Sequence, residues 1–177
     1  MKLSTVASHP LGRLFGFGVI FGAMYFGLAS FWSDGLSHWI IDIATVEPAA
    51  WFGRLLTGNQ EIVASGAHLR APDGSLTVLF GCEGTDVLML LVAALLVAPG
   101  SWIKRISGLI AGAALVFVVN QARVLALFFA FRLHPSWFGA IHGLIGPTIV
   151  VVAVTAYFIA WIRWAEGGTR VRDVATA

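Results

Sequence analysis

Hydrophobic and polar positions alternate along this chain in long blocks. Four apolar runs cover residues 14–31, 85–98, 106–131 and 143–164. A transmembrane helix needs about 20 consecutive apolar residues, so the second run is short for a complete span. We therefore predict four membrane-spanning helices, the second of which begins within residues 79–84 or lies tilted.

Residues 32–84 form the only sizeable segment outside the predicted spans. Its first part, residues 39–56, is amphipathic and predicts one or two surface helices broken near the single proline there. Two β-prone runs, residues 61–70 and 75–80, are joined by Pro72-Asp73-Gly74. Proline presets such a turn and glycine accepts a positive φ. The pattern predicts a β-hairpin that leads into the next helix.

The composition agrees with a membrane protein. The 177 residues are 58% hydrophobic and only 11% charged, whereas soluble domains carry about 25% charged residues. The net charge of +2 gives no indication of a nucleic-acid partner. We predict a single all-α membrane domain over residues 1–177. It has about four transmembrane helices, and a small extracytoplasmic segment of surface helices and a β-hairpin lies between the first two.

Positive charges indicate the orientation. They precede the first apolar run, follow the second and lie at or beyond the end of the fourth, at Lys2, Arg13, Lys104, Arg105, Arg163, Arg170 and Arg172. Four spans place these three groups on one side, which the positive-inside rule predicts to be the cytoplasm. Residues 32–84 then lie outside. Three cations on that side are exceptions to the rule, namely Arg54, Arg70 and Arg132.

Cys82 is the only cysteine in the chain, and it lies where the polar segment meets the second apolar run. A lone thiol cannot form an internal disulfide and supplies too few ligands for a thiolate metal site. It is therefore a packing residue, an intermolecular cross-link or a nucleophile. A cysteine at a helix start favours the nucleophile, because the helix dipole stabilises a thiolate.

Arg123 is the only charged residue within the third apolar run, residues 106–131. A cation at membrane depth costs about 2.5–3.5 kcal/mol on insertion scales, so it normally faces a protein interior and has a purpose. Asn120, three residues earlier, shares its helical face and could orient the guanidinium. The alternative is a structural salt bridge with Asp86 or Glu83. These two acids also have a simpler explanation, because the dipole at a helix start favours carboxylates.

Two histidines lie near the start of the fourth apolar run. His142 is at its start, and His134 lies eight residues earlier in a turn, where an interfacial loop role is expected. The predicted topology brings His142, Cys82 and Arg123 to the outer-leaflet level of three different helices. A thiol nucleophile, a histidine acid or base and a cationic oxyanion stabiliser form a coherent set for acyl transfer.

The order of these motifs resembles the exosortase/archaeosortase family, in its compact, short-chain branch. They are Cys82-Glu83-Gly84, then Asn120-x-x-Arg123-Val124 beginning 38 residues after the cysteine, then His142-Gly143. The resemblance covers about residues 55–165. It implies a membrane cysteine transpeptidase in which Cys82 is the nucleophile, Arg123 the catalytic arginine and His142 the third member. The family's cysteine motif more often reads Cys-Ser-Gly-Ile or Cys-Asn-Gly, which leaves the substrate type open.

The resemblance also implies the partners and the location. The substrates would be exported proteins with a C-terminal recognition motif, one apolar helix and a basic tail. The enzyme would form a thioester with the substrate and transfer it to an acceptor or to water. The reaction would need no cofactor and no metal. The enzyme would lie in the lipid bilayer of a prokaryotic cytoplasmic (inner) membrane, with several spans and its active site at the extracytoplasmic face.

Two alternatives from other classes stay open. The first is a non-catalytic membrane assembly or transport subunit in which an ion pair between Arg123 and Asp86 fixes the helix register. It predicts that Cys82 tolerates alanine or serine. The second is a membrane metalloenzyme, which is weakened because no His-x3-His or His-Glu pair occupies a helix face.

Overall fold

A computed structural model describes residues 10–58 and 61–175, apart from the side chains of residues 34 and 167–175. In chain order the elements are helix α1 (Pro10–Ser30), α2 (Asp34–Ser37), the π-helix π1 (His38–Val46), α3 (Glu47–Thr57), strands β1 (Val63–Ser65), β2 (His68–Ala71) and β3 (Gly74–Thr77), helices α4 (Thr85–Val97), α5 (Trp102–Leu133) and α6 (Pro135–Ala140), the π-helix π2 (Ile141–Ile145) and α7 (Gly146–Ala175). Lys2, one of the predicted cytoplasmic cations, lies outside the described residues.

The described residues divide into two compact units. The first comprises residues up to 30, 86–115 and from 152 onward, and we call it the helical unit. The second comprises residues 31–85 and 116–151, and we call it the sheet unit. The residues predicted to form the site fall in the sheet unit, apart from Asp86.

In the described part of the chain, three helical stretches are long and apolar enough to cross a membrane: Pro10–Ser30, Trp102–Leu133 and Pro135–Glu166. Helix α4 is apolar but has only 13 residues. At 1.5 Å per residue it is about 20 Å long, against about 30 Å for a hydrocarbon core. The predicted class of a mostly helical membrane protein is therefore confirmed, whereas a complete second span stays a prediction.

Two glycines of α5 give the helical unit its close packing. A Cβ added at Gly108 would overlap the indole ring of Trp161, and one at Gly112 would lie 2.6 Å from Leu91 Cδ2. The hydroxyl of Tyr157 also donates a hydrogen bond to the carbonyl of Gly108 at 2.6 Å. Small residues let membrane helices approach in this way. The spacing of these two glycines thus serves internal packing.

The core of the sheet unit is built from π1, α3, the sheet and the second half of α5. Its buried residues are Ile41, Val46, Ala49, Ala50, Ile62, Leu69, Val78, Val124, Leu125 and Phe128. Leu69 is buried between the less buried His68 and Arg70, because successive side chains of a strand point to opposite faces. Burial of one such large apolar side chain contributes about 1.5–3 kcal/mol.

The sheet has three antiparallel strands in the order β1-β2-β3. Residues 72–74 make the expected connection between β2 and β3. The run 61–70, predicted as one strand, is instead divided into β1 and β2. Gly66 has a φ of 57°, a left-handed conformation that glycine adopts at no steric cost, so the chain turns there. The sequence pattern missed this turn.

The tip of the hairpin is fastened to α5. Arg132 Nη2 lies 2.5 Å from Asp73 Oδ1, and the hydrogen bond from this guanidinium lowers the pKa of the Asp73 carboxyl. Next to it, a Cβ added at Gly74 would lie 3.2 Å from Phe131 Cε1. These contacts hold the start of β3 against α5. They also give Arg132, an exception to the positive-inside pattern, a local partner.

The helix break expected near Pro48 is instead a change of helix type. The backbone N–H of Glu47 donates to the carbonyl of Asp42, five residues back, and Pro48 then occupies the first turn of α3. Proline has no N–H to donate, and the first turn of a helix does not need one. The chain therefore stays helical from residue 38 to residue 57.

Candidate active site

The cysteine lies in a short loop, residues 79–84, that we call the cysteine loop. The backbone N–H of Cys82 donates to the carbonyl of Leu79 at 2.9 Å. Gly81 and Gly84 have φ values of 88° and 84°, which other residues rarely adopt. Cys82 therefore lies three residues before Thr85, the first residue of α4, rather than in the first helical turn. Its free thiol is half-buried against the core of the sheet unit.

Glu83, beside the cysteine, is buried with an exposed fraction of 7%. Its Oε1 accepts a hydrogen bond from the hydroxyl of Thr85 at 2.7 Å. Its Oε2 is buried and has no hydrogen-bond partner among the described residues. Glu83 makes no ion pair with Arg123 in the described part of the chain. A salt bridge with Glu83 therefore does not explain why an arginine occurs at position 123 in the apolar run.

Helix α5 contacts the cysteine loop through Asn120. A Cβ added at Gly84 would lie 3.1 Å from Asn120 Cγ, so the loop backbone and this side chain are in close contact. Asn120 has an exposed fraction of 2%, and its Oδ1 lacks a hydrogen-bond partner within the described residues. Glycine is thus favoured at position 84 of the Cys-Glu-Gly motif for two structural reasons, its positive φ and this close contact.

One turn further along α5, Arg123 contacts the start of α7. A Cβ added at Gly146 would lie 3.2 Å from both Cγ and Nε of Arg123. The Nε atom is buried, and no described residue accepts its hydrogen bond. Since Asn120 and Arg123 share one helical face, α5 connects the cysteine loop to the start of α7. The guanidinium of Arg123 supplies the positive charge at the α7 end of this face.

His142 lies in π2 rather than at a helix start. The helical path begins at Pro135, with His134 immediately before it, and continues through α6 and π2 into α7. The ring of His142 is exposed and stacks on the ring of Phe138, with centroids 5.7 Å apart and planes 4° from parallel. Phe138 in turn contacts Phe131 of α5 edge to face at 5.9 Å. This aromatic pair orients the imidazole.

Asp86 lies in the first turn of α4, where the helix dipole favours a carboxylate. No group of three or more His, Cys, Asp or Glu side chains that could hold a metal ion lies among the described residues.

Sequence reasoning missed Gln121, which lies between Asn120 and Arg123. Its exposed fraction is 4%, its Nε2 donates to the carbonyl of Ala44 at 3.4 Å, and its Oε1 has no partner among the described residues. The available signal was a polar side chain within an apolar run. Four buried polar atoms of the sheet unit thus have no partner among the described residues: Glu83 Oε2, Asn120 Oδ1, Gln121 Oε1 and Arg123 Nε. A buried polar atom normally has a hydrogen-bond partner, so these atoms are candidates to bind water or a substrate.

The conformation of π2 depends on Gly146, and substitution of this glycine tests that dependence. The N–H of Gly146 donates to the carbonyl of Ile141, and a Cβ at position 146 would lie 2.7 Å from that oxygen. We expect Gly146→Ala to lower the free energy of unfolding by about 1–3 kcal/mol, even though alanine is the better helix former. The measurement is thermal unfolding in detergent, followed by circular dichroism.

Gly143→Ala is the matched control. Position 143 lies in the same π-helix, and a Cβ there would meet nothing within 4 Å. This variant should unfold at the same temperature as the wild type or at a higher one. Equal melting temperatures for the two variants would contradict the proposed dependence of π2 on Gly146.

The fold and these contacts define a multi-pass membrane protein with several buried polar side chains in the unit that carries its single cysteine. The chain belongs to the transmembrane exosortase family, which it matches over residues 3–160. This confirms the family resemblance of the sequence motifs. Membership supports a transpeptidase-type role in the membrane, since the family is generally one of cysteine peptidases and transpeptidases. No curated protein and no solved structure gives a significant match to the chain.

Proposed function

We propose that this protein is a cysteine transpeptidase that cleaves the C-terminal sorting tail of exported proteins and transfers them to an acceptor. The observation that carries the proposal is the Arg123 guanidinium. Its buried Nε has no acceptor among the described residues, and it lies on the helix that also contacts the cysteine loop. In an exosortase, an arginine with an unpaired donor, on the helix that contacts the cysteine loop, fits the stabilisation of an oxyanion formed during acyl transfer.

The first chemical step is attack by the thiolate of Cys82 on the scissile carbonyl carbon. The carbonyl oxygen becomes an oxyanion, and Arg123 donates hydrogen bonds to it. Asn120 supports this step by positioning the loop glycine against α5. Glu83 supports it by holding the end of the loop through Thr85, and Asp86 by completing the first turn of α4.

The tetrahedral intermediate then collapses. The carbon–nitrogen bond breaks, and His142 gives its proton to the leaving amine, so that the tail departs with a neutral amino group. The remaining thioester joins Cys82 to the substrate. An acceptor nucleophile or water attacks it while the neutral imidazole takes the attacking group's proton, and the thiolate leaves. The enzyme returns to its starting state.

The partners follow from this chemistry. Each substrate ends in a short motif, an apolar helix and a basic tail, and the helix keeps the motif at the membrane. We place the enzyme in a prokaryotic cytoplasmic membrane with the active site at the extracytoplasmic face. The charge pattern around Lys104 and Arg105 supports this orientation.

The experiment is coexpression with an exported protein of that architecture, followed by an immunoblot that measures tail removal. Tail removal should require the wild-type protein. His142→Ala should slow it by about 10²–10⁴-fold, the range for an acid–base residue, whereas His134→Ala should leave most of it. Tail removal that is equal with and without the protein would reject the proposal. Equal loss in both histidine variants would reject the choice of histidine.

A further inference from the structure

A cavity of about 370 Å³ lies in the helical unit, where the start of α1, the end of α4 and the start of α5 meet. Arg13 and Arg105 line it together with apolar residues that include Gly16, Leu96 and Val97. None of the described residues that line it is acidic. Two cations therefore share a cavity whose own walls offer no carboxylate to neutralise them.

Arg105 is held in a fixed orientation in this cavity. Its Nη2 donates to the carbonyl of Ala98 at 3.0 Å, and its guanidinium lies 5.0 Å from the centroid of the Trp102 ring. Its Nε is buried and has no acceptor within the described residues. The guanidinium is a planar donor fork with five N–H groups, and its remaining donors on Nη1 and Nη2 suit the oxygens of a phosphate group. The arginine is thus preorganised for an oxyanion.

The surroundings are typical of the membrane–water interface. Lys104 Nζ donates to the carbonyl of Ala165 at 2.7 Å and lies 5.4 Å from the centroid of the Trp164 ring. Tryptophans with cationic neighbours favour the level of the lipid headgroups. The positive-inside rule assigns this end to the cytoplasm, where the leaflet carries anionic lipids.

We propose that this cavity binds the headgroup of an anionic phospholipid, with Arg13 and Arg105 as the ligands of its phosphate. The apolar wall formed by Leu96 and Val97 receives the glycerol end and the beginning of the acyl chains. A zwitterionic lipid fits less well, because two guanidinium groups repel its ammonium group. This site shares no residue with the proposed catalytic set, and the inference does not depend on transpeptidase activity.

The test is native mass spectrometry of the full chain, purified in detergent and mixed with phosphatidylglycerol or phosphatidylcholine. The wild type should retain phosphatidylglycerol in preference. Arg13→Gln and Arg105→Gln should each lower this retention by about tenfold, which corresponds to about 1.4 kcal/mol. Arg163→Gln is the matched control, since Arg163 is an exposed cation of the same unit that does not line the cavity. It should retain the lipid as the wild type does.

Several results would overturn the proposal. Equal retention of phosphatidylglycerol by the wild type and both cavity variants would remove the site, and so would equal loss in the Arg163→Gln control. Retention of phosphatidylcholine as strong as that of phosphatidylglycerol would remove the charge selectivity. Complete displacement of the lipid by millimolar inorganic phosphate would identify a phosphate site instead. If Arg105→Gln loses its fold together with its bond to Ala98, Arg13→Gln decides the question.

Discussion

Replacement of Cys82 by alanine is expected to abolish removal of the substrate tail while the protein keeps its normal level in the membrane. The substitution removes the nucleophile, so the rate should fall by about 10⁴-fold or more, as when a catalytic residue of a triad is removed. Serine should restore little, because its hydroxyl stays protonated without a strong base. The protein should still fold, since the loop conformation depends on Gly81 and Gly84. The measurement is an immunoblot of the substrate beside each variant.

The same prediction extends to the intermediate. If the acceptor is depleted, the wild type should accumulate a conjugate with the truncated substrate that hydroxylamine releases, because hydroxylamine cleaves thioesters. The alanine variant should form none. Normal tail removal by Cys82→Ala would reject the transpeptidase and favour the membrane assembly or transport subunit, in which the cysteine has no chemical role.

Much of the fold could be predicted because its signals are local. Apolar runs identified the three long helices, since membrane insertion depends on the hydropathy of consecutive residues. Residues 72–74 identified a turn, because proline and glycine restrict or free the backbone at their own positions. Gly66 was passed over because one glycine within a β-prone run also fits a continuous strand. The strands β1 and β2 pair directly across this glycine, with Ser65 opposite His68, and it is their pairing that shows the chain reverses there.

The two π-helices were missed, although both carry a signal in the sequence. Pro48 follows π1 and Pro147 follows π2, each at the second residue of the next α-helix. Proline removes a backbone donor and crowds the carbonyl four residues back, so a wider turn before it relieves the backbone. Proline is also common at ordinary helix starts. The proline therefore indicates a π-helix only once the preceding residues are known to be helical as well.

The residues of the candidate site could be selected from the sequence, but their contacts could not. An arginine within an apolar run and a lone cysteine are unusual wherever they occur. That Glu83 bonds to Thr85 instead of pairing with Arg123 depends on the course of the cysteine loop. The unpaired state of Arg123 Nε likewise depends on how α5 packs against Gly146. Such facts come from tertiary packing, which the hydropathy pattern does not contain.

Substitution of Arg123 by lysine is expected to reduce tail removal by about 10²–10³-fold, the range for loss of one oxyanion donor. Lysine keeps a positive charge but loses the planar fork and the Nε–H donor, and that donor is the buried atom beside Gly146. The variant should remain folded and inserted, because within the described residues the wild-type side chain makes no ion pair that lysine would break. The measurement combines substrate immunoblots with membrane levels and thermal unfolding.

Arg132→Lys is the matched control on the same helix. Arg132 pairs with Asp73 at the tip of the hairpin, and a lysine can keep that attraction as a point charge. Tail removal should therefore stay within about twofold of the wild type, because the proposed chemistry does not use Arg132. Wild-type activity in Arg123→Lys would show that only the charge of Arg123 matters and would remove its geometric role at the oxyanion. Loss of the folded protein in Arg123→Lys, with Arg132→Lys intact, would instead assign Arg123 to the structure of α5 and α7.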